Sequence, residues 1–175
     1  KVSKKYNVKR FTGILSTCMY PDVVETYPMT EDNIHDGPPS FANFSYGFTK
    51  RSLSVGIDAY NKQYKTNWNY LIPCNLYGEY DHFEDPEKCH FITALIRKII
   101  DSENNGESNI TLFGTGSPLR QFMHASDLAR VIKIVIENDI TESFNVATPE
   151  ENSIKDMATI TLEALDKNMG VVFDS

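Results

Sequence analysis

The sequence predicts an α/β fold around a parallel sheet, and three observations predict it. Short apolar, β-branched runs alternate with longer helical patterns. Those runs break at proline or glycine. The last helical pattern carries its own capping signature. Lys1 to Arg10 reads as the end of a helix. Arg10-Phe-Thr-Gly-Ile-Leu-Ser-Thr-Cys-Met-Tyr20 is apolar until Pro21, as a buried parallel strand is where it delivers side chains from its carboxyl end. A polar, turn-rich stretch follows from Tyr27 to Asn43, then a helix from Tyr46 to Lys65 and a second strand from Trp68 through Leu76 to the turn at Gly78. Next come a helix from His90 to Asp101, a strand Asn109-Ile-Thr-Leu-Phe113, the loop Gly114-Thr-Gly-Ser-Pro118, a helix from Asp127 to Asn138 and a strand from Ser143 to Ala147. In the last helix Ser153 and Asp156 form a capping box, and Ile154, Met157, Ile160 and Leu165 make a core-facing stripe. Gly170 closes that helix before the strand-like run to Ser175.

The most informative local feature is Tyr46-Gly-Phe-Thr-Lys50, downstream of Ser16-Thr-Cys18. Residues four apart share one helix face. An ammonium beside a phenol favours the phenolate, the form in which a tyrosine serves as general base. A lysine at a wet surface is too weak for that, so the reading requires a dry pocket, a bound cationic cofactor and a second donor such as Ser16. A Tyr-x-x-x-Lys pair also arises by chance on helices, and the flanking segments give it a site. Open α/β sheets bind ligands at the carboxyl ends of their strands, where Ser16 is expected.

Ser16-Thr-Cys-Met-Tyr-Pro21, Tyr46-x-x-x-Lys50, Pro73-Cys-Asn-Leu-Tyr-Gly78, Gly114-Thr-Gly-Ser-Pro-Leu-Arg120 and His124-x-x-Asp127 stand in the order and spacing of one known family. The chain resembles the extended short-chain dehydrogenase/reductases, and among them the bifunctional epimerase-reductases that convert GDP-4-keto-6-deoxymannose to GDP-L-fucose with NADPH. The resemblance implies a Rossmann-like sheet, incomplete here, with a smaller substrate-binding part. Residues 1–80 then belong to the C-terminal half of the NADP-binding domain, and residues 81–175 mainly to the substrate part with interleaved Rossmann elements.

The resemblance also implies roles. Ser16, Cys18, Tyr46, Lys50 and His90 match the catalytic set, with Cys18 as base and His90 as acid in the inversions beside the ketone. A thiol and an imidazole both exchange protons near neutral pH. Tyr46 then donates the proton in reduction, Ser16 holds the oxygen, and Lys50 binds the nicotinamide ribose. Ile14, Leu15, Ser16, Thr17, Tyr46, Lys50, Pro73, Cys74, Asn75, Leu76 and His90 are expected along NADP(H). Asn75, Lys98, Phe113 and Arg120 are expected on the GDP-sugar, Arg120 because its planar fork suits a diphosphate. A homodimer in the cytoplasm, pairing through the Tyr46–Lys50 helix, is also implied.

Each assignment has a plainer competitor in the residues alone. Cys18 is also compatible with a small core residue, and His90 with an ordinary helix start. His82, Cys89 and His90 stand among Glu79, Asp81, Glu84, Asp85 and Glu87, but no closed zinc spacing is present, so no metal is expected. His124 and Asp127 read as a helix start, with Ser126 or Asp127 as the cap. Relatives commonly carry Gly-Pro-His-Asp-Asn-Phe where this chain has Gly78-Glu-Tyr-Asp-His-Phe83, and Trp where it has Phe113.

The pyrophosphate-binding Gly-x-x-Gly-x-x-Gly turn does not occur in these 175 residues, and Gly114-Thr-Gly116 follows too late a strand to replace it. The expectation is therefore an internal portion of a longer enzyme, incomplete as a catalyst by itself. The alternatives are another nucleotide-sugar epimerase or dehydratase, or a noncatalytic nucleotide-sugar-binding remnant. A net charge of −7 leaves no basic stripe for nucleic acid, and no apolar run is long enough to span a bilayer. Three cysteines without framework spacing fit reduced thiols.

Overall fold

In chain order the strands are β1 Thr12–Ile14, β2 Asn69–Pro73, β3 Asn75–Tyr77, β4 Asn109–Phe113, β5 Leu119–Arg120, β6 Phe122–His124, β7 Phe144–Val146, β8 Asn152–Ser153 and β9 Gly170–Asp174. The helices are α1 Val2–Lys5, α2 Phe44–Tyr64, α3 Phe91–Asn104, α4 Ala125–Glu137 and α5 Ile154–Ala164. This computed structural model describes residues 1–84 and 88–174. They form two units, residues 1–74 with 127–147, and the described residues of 75–126 with 148–174.

The first unit is built on the parallel sheet β1-β2-β7. Thr12 to Ile14 pair with Asn69 to Leu71, and Leu71 to Pro73 pair with Phe144 to Val146. Every residue of the central strand is buried, as expected for a parallel strand covered on both faces. Leu71 and Ile72 are fully enclosed, each side chain contributing about 1.5–3 kcal/mol by leaving water. Ile57 of α2 joins Leu15, Met19, Tyr20, Trp68, Tyr70 and Ile72 in one core. Asn69 is buried but satisfied, accepting from the Thr12 hydroxyl at 2.7 Å and donating to the Ile140 and Glu142 carbonyls. Arg10 ties the far end of α4 to this sheet through the Val135 and Ile140 carbonyls and Asp139.

The second unit holds three two-stranded sheets: β3 parallel with β6, β4 parallel with β9, and β5 antiparallel with β8. Leu95 and Ile99 of α3, Ile110 and Leu112 of β4, and Ala158 and Leu162 of α5 form its core.

The order of elements follows the sequence reading, with four differences. The run after Arg10 is a strand only to Ile14. Ser16 then caps a 3-10 turn, Thr17–Met19, because its hydroxyl takes the Cys18 amide away from the ladder. The second expected strand is two: Cys74 still donates to the Val146 carbonyl at 2.9 Å, whereas Asn75 pairs with Phe122. The strands of the described residues divide among four sheets, the expected parallel one in the first unit and three two-stranded ones in the second. In α5 the box of Ser153 and Asp156 is present and Ile154 and Leu165 pack on the core as expected, but the buried residues are Ala158, Thr161 and Leu162, Ile160 is exposed, and Gly170 opens β9 instead of closing the helix.

Candidate active site

At the carboxyl end of β1 the Leu15 amide makes the last ladder bond, to the Leu71 carbonyl at 2.8 Å. Ser16 is extended, and its Oγ accepts from the Cys18 amide at 3.3 Å, which places the serine and cysteine side chains on the tight turn that leaves the strand. Helix α2 runs close against that turn. A Cβ on Gly47 would stand only 2.4 Å from the Cys18 carbonyl oxygen, so glycine is what permits the approach. Arg51, one turn further on and buried, donates from Nε to the Met19 carbonyl at 2.5 Å. Its Nη2 has no hydrogen-bond partner among the described residues, and burial lowers its pKa.

Lys50 closes the arrangement. Its Nζ donates to the Ile14 carbonyl at 2.8 Å and lies 5.4 Å from the centroid of the Tyr46 ring. The ammonium thus ties α2 to the end of β1 while adding its charge to the tyrosine ring. Tyr46 is half-exposed, so its phenol can reach a ligand. Four residues that the sequence singled out, Ser16, Cys18, Tyr46 and Lys50, therefore belong to one corner of the first unit. Ile14, Leu15 and Thr17 lie on the same strand end, and Pro73 and Cys74 end the neighbouring parallel strand. This is where an open α/β sheet receives a ligand. The sequence singled out neither Gly47 nor Arg51 as working residues. A glycine inside a helical pattern was the signal for the first.

His90 is the residue before α3, in extended backbone, and its ring turns to Asp81. Nδ1 lies 3.0 and 3.1 Å from the two carboxylate oxygens. Asp81 also accepts from Thr93 Oγ1 at 2.6 Å and from the His82 amide at 2.8 Å. The Asp81 side chain is 11% exposed and that of His90 71%. Burial pushes the Asp81 carboxyl up, but the bonds from Thr93, His90 and His82 outweigh it and hold the group well below the usual carboxylate range. Both residues line a cavity of about 440 Å³, together with Tyr77, Glu79, Tyr80 and His124. The sequence pointed to a catalytic role for His90 but weighed Asp81, nine residues before it, only among possible metal ligands.

His124 meets Glu79 through Nε2 at 3.2 Å and Ser126 Oγ through Nδ1 at 2.7 Å. It shapes the start of α4, but the expected cap is corrected. The helix already begins at Ala125, so Ser126 and Asp127 lie in its first turn and the Ser126 amide is met by the His124 ring at 3.2 Å. Asn75 and Leu76 lie in β3, where Asn75 Nδ2 donates to the Gln121 carbonyl at 3.0 Å. Lys98 places its ammonium 2.5 Å from the Thr111 carbonyl of β4, Phe113 ends that strand 93% exposed, and Arg120 lies in β5. Among the described residues no group of three His, Cys, Asp or Glu side chains is placed to hold a metal. Asp85 and Glu87 lie outside them. No helix of the described residues is long and apolar enough to cross a membrane.

The sequence model of the NAD dependent epimerase/dehydratase family matches residues 1–147. The chain belongs to that family. Among curated members of this kind it is 36% identical to the GDP-L-fucose synthase of Dictyostelium discoideum, over 98% of this chain and 54% of the relative. Two solved structures of a GDP-L-fucose synthetase from Naegleria fowleri, one of them bound to NADP, superimpose with TM-scores of 0.87 and 0.83. Each is 32% identical and covers 98% of this chain, with 54% and 55% of the solved chains matched. The chain thus spans about half the length of the epimerase/dehydratase-family relatives it matches.

Proposed function

We propose that these residues are the catalytic half of an NADP(H)-dependent epimerase-reductase that converts GDP-4-keto-6-deoxymannose to GDP-L-fucose. The observation that carries the reading is Lys50, bonded to the Ile14 carbonyl and set against the Tyr46 ring beside the Ser16–Cys18 turn. A carbonyl acidifies the C–H bonds next to it, so inversion at C3 and C5 needs one group to take a proton and another to return it. Cys18 takes it and His90 returns it. The hydride that then reduces the C4 ketone is supplied by NADPH. Ser16 Oγ holds the ketone oxygen, Tyr46 gives that oxygen its proton, and Lys50 holds the nicotinamide ribose while favouring the tyrosine's proton transfer. Ile14, Leu15, Thr17, Pro73 and Cys74, with Asn75 and Leu76, serve the cofactor; Asn75, Lys98, Phe113 and Arg120 serve the GDP-sugar. The names of the similar proteins support the substrate, and the NADP in the solved relative supports the cofactor.

The same reading gives a cytoplasmic homodimer. Phe44, Phe48 and Val55 stand exposed along α2, in keeping with a helix that pairs with a second copy. The test of the function is to incubate the full-length protein with GDP-4-keto-6-deoxymannose and NADPH. The reading requires one NADPH oxidised per GDP-L-fucose formed. Turnover of UDP-sugars with no net NADPH consumption refutes it.

A further inference from the structure

Asp81 has too many bonds for a surface carboxylate. It is nearly buried, carries no lysine or arginine partner among the described residues, and gathers Thr93 Oγ1, the His82 amide and His90 Nδ1 onto its two oxygens. An ionised carboxylate only accepts hydrogen bonds. Nδ1 of His90 must therefore be the donor, and the neutral ring carries its free lone pair on Nε2. The ring itself is largely exposed and lines the cavity shared with Tyr77, Glu79 and Tyr80.

We propose that Asp81 is the positioning residue of His90: it fixes the ring's orientation and its Nδ1–H tautomer, so that Nε2 is the atom that exchanges protons with a ligand in this cavity. The proposal deepens the proposed function, because it rests on His90 as the acid. Nε2 gives its proton from the imidazolium form, whose Nδ1–H the Asp81 carboxylate holds, and the ring is left as the neutral Nδ1–H tautomer. Thr93 and the His82 amide hold the carboxylate itself in place, so the chain of support runs from the first turn of α3 to Asp81 and from Asp81 to the imidazole. The same bonds to Thr93 and to the His90 amide at 3.4 Å also serve the start of α3, which is a structural role a test must separate.

Two measurements on the full-length protein do so. Nitrogen-15 NMR of the histidines, with His90 assigned by its absence in His90→Gln, reads the tautomer without requiring turnover. The expected spectrum has His90 protonated at Nδ1 when neutral, and in Asp81→Asn that preference is lost or mixed. An Nε2–H tautomer in the native protein overturns the proposal. Deuterium uptake from solvent into the GDP-4-keto-6-deoxyhexose is the second readout. Asp81→Asn is expected to slow it about 10²-fold, the lower end of what a positioned acid or base contributes. Thr93→Val, which loosens the same helix start but leaves the imidazole bonded to its carboxylate, is expected to lower Tm with exchange slowed less than about 3-fold, well under the contribution of the acid itself. Equal losses of exchange in the two variants mean a merely structural role and overturn the proposal. If the native protein exchanges no deuterium at all, the proposed function fails while the tautomer spectrum still decides the role of Asp81.

Discussion

Replacing Gly47 by alanine tests how the Tyr46 helix is held to the Ser16–Cys18 turn. The added Cβ would lie 2.4 Å from the Cys18 carbonyl oxygen and 2.8 Å from Pro39 Cβ, against about 3.4 Å for ordinary contact. A shift of about 1 Å is needed, and neither a carbonyl nor a proline ring can rotate out of the way. Overpacking of this kind costs about 1–3 kcal/mol, while alanine in place of a helical glycine returns about 1 kcal/mol. The net loss of stability is therefore small, about 1 kcal/mol. The loss of activity is not small, because a misplacement of about 1 Å between reacting groups can cost about 10²-fold in rate. Gly56 is an internal control on the same helix, since a Cβ placed there would meet nothing within 4 Å. Gly56→Ala is expected to raise Tm slightly and leave kcat unchanged. The assay pairs thermal unfolding with NADPH oxidation on the full-length protein. A Gly47→Ala variant as active as native, and stabilised like Gly56→Ala, refutes the reasoning.

Three further outcomes follow from the same geometry. Burial pushes the Tyr20 phenol up to about 12, opposed by its bond to Asn145, so the neutral form is favoured on folding and this contribution is present below pH 10 and lost as pH rises from about 10 to 12. Tyr70 is raised by burial with the same sign, and Tyr20→Phe should leave a shallower alkaline decline in denaturant unfolding. Asp81 works the other way: its carboxyl is depressed, so its contribution is present at neutral pH and lost as pH falls below about 4, and Asp81→Asn should flatten the acid limb of the Tm profile, while Asp58, raised by burial, opposes that slope. Lys50→Met should lower NADPH affinity and slow reduction by about 10²-fold or more, whereas a variant with unchanged affinity and rate would remove Lys50 from the site.

The sequence made legible what depends on local pattern. Asn109–Phe113 is a strand with the expected bounds because its alternation and the flanking polar turns are self-contained. The Ser153–Asp156 box works because both partners lie within one turn. Tyr46 and Lys50 meet because four residues make little more than one turn of helix. Features set by distant partners were hidden. Cys74 belongs to one ladder and Asn75 to another, a change of partner that depends on where Phe122 and Val146 arrive. The Asp81–His90 pair joins residues nine apart in sequence, a spacing that neither the helical nor the strand period encodes. Gly47 could be seen as a costly residue inside a helix, but the carbonyl it makes room for comes from a different segment.

The central claim is that Cys18 performs proton abstraction and Tyr46 performs the protonation of reduction, two separable tasks at one strand end. Its most direct test is deuterium incorporation at C3 and C5 of GDP-4-keto-6-deoxymannose in heavy water, measured beside NADPH oxidation for Cys18→Ala and Tyr46→Phe of the full-length protein. The account predicts that Cys18→Ala loses the deuterium while Tyr46→Phe keeps it and loses NADPH oxidation. Normal deuterium incorporation by Cys18→Ala contradicts it.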